Sequence, residues 1–176
     1  MIFVVGNSRS GTTMLGRMLG RNSKVFSFPE LHLFGPCIPH GQEEQPLSKE
    51  DSIRAFAWLL DVSRRGFHAA RTPEAFVDEA TTLTAKYWID DFDALALYYC
   101  FVHDEARRNG KEIPCEDLPG NVFRLDALLR RFPEARFVHI VRDPRDVLLS
   151  QKNRHLRRKM GGWYVTRTEA LRVWAN

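Results

Sequence analysis

Between an apolar run, Ile2-Phe3-Val4-Val5, and a stretch carrying Met14, Leu15, Met18 and Leu19 lies Gly6-Asn7-Ser8-Arg9-Ser10-Gly11-Thr12-Thr13. Short β-branched runs read as strands, and apolar residues three and four apart read as one face of a helix. Segment 2–20 is therefore strand, tight loop and helix, with the four apolar helix residues expected on one face. Glycines let the loop fold back and aim its N–H groups inward, and the helix N-terminus adds a partial positive charge. Such a unit is an anion cradle. It restricts the chain to folds in which a strand feeds a helix.

The rest of the chain repeats that alternation. A second strand is expected at 24–28, ended by Pro29, and a loop or lid at 33–46, where five glycines and prolines fall. Helices are expected at 48–67 (Ile53, Phe56, Ala57 and Leu60 on one face), at 75–85, and at 91–108 through Leu95, Tyr98, Tyr99 and Val102. Another is expected at 120–131 through Val122, Leu125 and Leu129. Segment 136–141 reads as a continuous apolar, buried strand interrupted by His139, which as a buried-strand histidine is expected in the core. Strands alternating with helices predict an α/β fold, a central parallel sheet flanked by helices in three layers. Ligands then gather at the carboxyl ends of the strands.

A chain of 176 residues suffices for one core, so 1–176 is expected to be a single domain. It stops within an apparent helix whose Ala170, Val173 and Trp174 still need partners, so a missing C-terminal part is expected. The net charge of +4 suits a small anionic ligand and is too weak to argue for nucleic acid. No apolar run approaches the roughly 20 residues that span a bilayer. Cys37, Cys100 and Cys115 are an odd set with no close pair, which implies no disulfide framework and a cytoplasmic location. His32, Cys37 and His40 lie close together but match no metal-ligand spacing, so no metal is expected.

The loop has the Walker spacing G-x-x-x-x-G-K-[ST], with Thr12 in place of lysine. In phosphoryl transfer from ATP, that lysine and Mg²⁺ offset the charge of the terminal phosphates. Here Arg9 supplies a cation from the other side of Gly11, which suits the less charged sulfuryl group. A second constellation follows the 136–141 strand: Arg142-Asp143-Pro144-Arg145-Asp146-Val147-Leu148-Leu149-Ser150. Asp143 is a good N-cap and Pro144 suits the first helical position, which leaves Arg142 at the sheet's carboxyl edge. Ser150 lies about two turns, roughly 10 Å, along that helix. In Phe28-Pro29-Glu30-Leu31-His32-Leu33-Phe34, Glu30 is a lone acid among apolar neighbours, a setting that raises a carboxyl pKa toward that of a useful base.

Arg9-Ser10-Gly11-Thr12-Thr13 resembles the R/K-S-G-T-T loop of sulfotransferases that use 3′-phosphoadenosine 5′-phosphosulfate (PAPS). Ser8 stands where that family often has proline. Arg142 to Ser150 resembles the family's 3′-phosphate motif, R-[DN]-P-[RK]-D-V followed by serine. The Pro29-Glu30 region is similar to the P-E-x-H-F/W segment of carbohydrate and tyrosyl-protein sulfotransferases. Glu116-Asp117-Leu118-Pro119 occupies the place of an E-K-T-P element, without its lysine and threonine.

The resemblance implies a P-loop-type fold and transfer of a sulfuryl group from PAPS to a hydroxyl of a carbohydrate, small alcohol or phenol, leaving PAP. It implies that Ser10, Gly11, Thr12, Thr13, Arg142 and Ser150 hold the donor, with Arg9 binding it and stabilising charge. Glu30 is the implied base and His32 its competitor. A P-loop kinase or NTPase, with Asp143 as the Mg²⁺ carboxylate, and a nucleotide-binding module without turnover are the other readings. The basic run Arg154, His155, Arg157, Arg158 and Lys159 reads as a solvated loop.

Overall fold

The computed structural model describes residues 1–69 and 72–157, without the side chains of 153–157. Strands β1 (Ile2–Gly6), β2 (Val25–Phe28), β3 (Ile113–Glu116) and β4 (Arg136–Ile140) form one sheet in the order β2-β3-β1-β4, every pair parallel. Helices α1 (Thr12–Leu19), α2 (Lys49–Arg65), α3 (Val77–Tyr87), α4 (Ala94–Arg108), α5 (Leu125–Arg131) and α6 (Pro144–Arg157) surround it. Single 3₁₀ segments precede α3 (Pro73–Phe76) and α5 (Pro119–Arg124). This is the expected α/β, P-loop-type architecture.

The layers follow from the pleat of β1. Successive side chains point to opposite faces, so Phe3 and Val5 enter the large core with Phe56, Leu60, Leu95, Tyr98 and Phe101. Val4 faces the other way and joins Val25 and Cys115, against which Leu15 and Leu19 of α1 pack. Ser48 caps α2 by accepting from the Asp51 N–H at 3.0 Å, and Asp93 caps α4 by accepting from the Ala96 N–H at 2.6 Å. These caps satisfy donors that the first helical turn leaves open.

Four expectations change. Met14 and Met18 are 65% and 62% exposed, and α1 buries Thr12 and Gly16 instead. The cause is close approach: a Cβ on Gly16 would lie 3.0 Å from Cβ of Asp117, so the small residues mark the contact line. The 136–141 strand is not buried, because β4 pairs with β1 alone among the described residues and forms that edge of the sheet. His139 is accordingly exposed rather than in the core. The 120–131 helix splits into a 3₁₀ segment and α5. Arg154, His155 and Arg157 fall within α6 rather than a loop, whereas Arg158, Lys159 and the expected terminal helix lie outside the described residues.

Candidate functional site

The loop after β1 has a backbone that few residues adopt. Gly6 takes φ +152°, and a Cβ there would meet the Ile140 carbonyl oxygen at 2.5 Å, so β1 and β4 can approach only over a glycine. The Ser10 N–H donates to the Asn7 carbonyl at 3.1 Å, and Arg9 lies in the left-handed region at φ 74°. A non-glycine residue there costs on the order of 1–3 kcal/mol and persists only where its surroundings hold it. Those surroundings come from the second motif. Nη1 of Arg142 donates to the Arg9 carbonyl at 3.0 Å, and Nε of Arg9 donates to Oγ of Ser150 at 3.2 Å.

The parallel pairing of β1 with β4 makes this meeting possible, since both strands end at one edge of the sheet. The turn into α6 is held by Asp143, whose carboxylate accepts the Arg145 N–H at 2.9 Å and whose carbonyl accepts the Val147 N–H at 3.1 Å. The Arg145 guanidinium, 2.6 Å away, holds the Asp143 carboxyl below the usual range.

A cleft of about 1210 Å³ opens over this edge. Arg9, Thr13, Arg142 and Ser150 line it, as does Glu30. Five cations (Arg9, Arg17, Arg21, Lys111, Arg142) face three carboxylates (Glu30, Asp117, Asp146) across it. Ser10, Gly11 and Thr12 stand behind the wall. Thr12 is 3% exposed, and Gly11, at φ 106°, is the N-cap of α1. Of the four loop residues from Ser10 to Thr13, Thr13 is the one whose side chain lines the cleft.

Glu30 follows β2 at the junction of two cavities. A second hollow, of about 1010 Å³, shares Ser8, Glu30, Phe67 and His68 with the cleft. Oε2 of Glu30 lies 3.0 Å from Nε2 of His32. His32 has φ 48°, and its ring stacks on Phe67 with centroids 3.7 Å apart. Between the two, the Leu31 N–H donates to Oε1 of Glu116 at 3.1 Å, and the Leu31 carbonyl accepts from Nε1 of Trp58 at 3.2 Å. Glu116 also accepts from the Tyr98 hydroxyl and from Asn121 at 2.8 Å. Burial raises its carboxyl above the ordinary value against the pull of those donors. Glu116 is thus a buried frame for the backbone that carries Glu30.

Asp117, to which the comparison with the E-K-T-P element gave no role, lines the cleft. It is 3% exposed, accepts from the Thr13 side chain, and has an Oδ1 with no hydrogen-bond partner. Burial, and after it the nearby charge of Glu30, raises its carboxyl pKa. The signal was its place after β3, but that strand contains Pro114 and did not read as one. The Ile113 N–H donates to Lys24, so alternation turns the proline nitrogen toward β1, whose ladder with β3 starts only at Cys115. The strand loses no hydrogen bond there.

His32 and His40 are engaged away from Cys37. His40 bonds Arg124, which also bonds Glu43 at 3.1 Å and thereby pins the 33–46 segment to the 3₁₀ turn before α5.

A parallel α/β sheet with a glycine loop and a cationic cleft at its carboxyl edge defines a protein that binds anionic groups at that edge. Compared with known families, residues 2–176 match the sulfotransferase family, and the chain belongs to it. Sulfuryl transfer is the chemistry of that family. No curated protein and no solved structure matches the chain.

Proposed function

We propose that the chain transfers a sulfuryl group from PAPS to the hydroxyl of a carbohydrate or other small alcohol or phenol. The observation that carries this reading is the joining of two anion-binding segments, Arg142 to Arg9 and Arg9 to Ser150, on the wall of one cleft. A donor with phosphates at both ends of an adenosine needs two such sites close together. The backbone N–H groups from Gly11 to Thr13, with the Thr13 hydroxyl, hold the 5′-phosphate end, and Ser10 shapes the loop through its N–H bond to the Asn7 carbonyl. Arg142 and Ser150 hold the 3′-phosphate, and Arg9 stabilises the charge that develops on the bridging oxygen. Glu30 takes the acceptor's hydroxyl proton. The acceptor oxygen then bonds to sulfur while the sulfur–oxygen bond to phosphate breaks, and PAP leaves with the electron pair.

The cleft supports this fit through its cations, which suit a ligand with several negative charges. A thermal-shift comparison of PAP, ATP and ADP, each with and without Mg²⁺, tests the reading. PAP alone should stabilise most. Stabilisation by ATP only when Mg²⁺ is present would sink it in favour of a kinase or NTPase. A cytoplasmic location belongs to the same reading and is supported by three cysteines that are all unbridged thiols.

A further inference from the structure

The two cavities that meet at Glu30 carry opposite charge. In the cleft five cations outnumber three carboxylates, whereas the second hollow has Glu30, Glu43, Glu44 and Asp126 against Arg124 and Arg130. Both of those arginines are already matched, Arg124 to Glu43 and Arg130 to Glu44, each at 3.1 Å. Asp126 has no cationic partner among the described residues, and the hollow's carboxylates outnumber its arginines four to two. Like charges brought together in a concave site repel strongly, because low-dielectric walls focus the field. The hollow also has an aromatic lining: Phe123, 83% exposed, and Phe67 both border it. An exposed phenyl ring on a cavity is a platform for the face of another ring.

We infer that the acceptor entering the second hollow is a ring-bearing hydroxyl compound without an acidic group, neutral or amine-bearing, so that the enzyme discriminates against uronic-acid and already sulfated acceptors. This rests on the sulfuryl-transfer reading and assigns the charge class of its second substrate. The acidic hollow repels the anionic donor as well, which keeps PAPS on the cationic side of Glu30.

The test offers the full chain three compounds on one scaffold, the 4-nitrophenyl glycosides of glucosamine, glucose and glucuronic acid, with radiolabelled PAPS. PAP binding is measured in parallel by calorimetry. The amine and neutral members should be sulfated with kcat/KM roughly tenfold or more above the acid, the lower end of electrostatic effects on encounter. Asp126→Lys should narrow that gap while leaving the Kd for PAP unchanged. A glucuronide used best, an unaltered gap in the variant, or no product from any member by a protein that binds PAP would each overturn the inference. A protein that fails to bind PAP overturns the underlying reading instead, and this one with it.

Discussion

The guanidinium of Arg142 donates to the main-chain carbonyl of Arg9 across 3.0 Å, tying the end of β4 to the loop that follows β1. The contact explains how Arg9 keeps φ 74°. A hydrogen bond from a charged donor contributes about 1.5–3 kcal/mol, comparable to the left-handed strain of about 1–3 kcal/mol that it offsets. Arg142 thus shapes the loop and also lines the cleft, and in the proposed function it has a second task, binding the 3′-phosphate.

Arg142→Ala separates the two tasks. Losing a charge-assisted bond to a 3′-phosphate should weaken PAP by roughly 10- to 100-fold. The Kd for 5′-AMP, which lacks that phosphate, should rise by less than about tenfold, reflecting only the loosened loop. Calorimetry with both ligands checks this, and equal losses would remove the 3′-phosphate assignment.

Much of this arrangement was readable in the residues. Glycine spacing, the apolar run before it and the Asp143-Pro144 cap are local signals, and local signals survive into the fold. What failed was anything that depends on neighbours. Whether 136–141 is central or an edge is decided by strand order, which periodicity does not encode, so His139 was misplaced. The apolar spacing of α1 set its methionines on one face with Leu15 and Leu19, but spacing does not say how far that face is covered. The actual face was chosen by how closely Gly16 lets the helix approach Asp117. Asp117 was given no role because its segment lacks the family's lysine and threonine, and Pro114 hid the strand that presents it.

Asp117→Asn should shift the pH dependence of stability. The folded carboxyl is raised above its ordinary value by burial and by Glu30, so its favourable contribution is complete below the unfolded pKa of about 3.9 and is lost as pH rises through the folded value. Asparagine has no such titration. The difference in Tm, variant minus wild type, should therefore move in the variant's favour as pH rises above the unfolded value of about 3.9. A flat difference would mean that the carboxyl is not held protonated by the fold.

His103 acts on the acid side. Burial, then the amino terminus and Arg107, lower its pKa to about 4, and its Nε2 is buried without a hydrogen-bond partner. Its ring lies 4.2 Å from that of Tyr99. A histidine kept neutral by the fold contributes stability that is complete above its unfolded pKa near 6.5 and drains away as pH falls toward the folded value. His103→Gln should lose less Tm than the wild type on going from about pH 7 to pH 5. Equal losses would show that the ring titrates alike in both states.

The final prediction concerns the proton acceptor. Glu30 lines both cavities where they meet, and among the described residues it is the one carboxylate that does so, with His68 beside it on the shared wall. His32 lines the hollow alone, and its nitrogen is directed at the Glu30 carboxylate, 3.0 Å away. Its left-handed backbone and its stacking on Phe67 fix that direction. In the proposed mechanism His32 orients Glu30 and the carboxylate is the base. Removing a general base typically costs about 10²–10⁴-fold in rate. Glu30→Gln keeps shape and loses basicity, so kcat should fall by that order while the Kd for PAP stays near wild type. His32→Asn should cost less, because the carboxylate loses a neighbour without being removed. Glu30→Gln retaining most of its turnover while His32→Asn loses it would exchange the two roles.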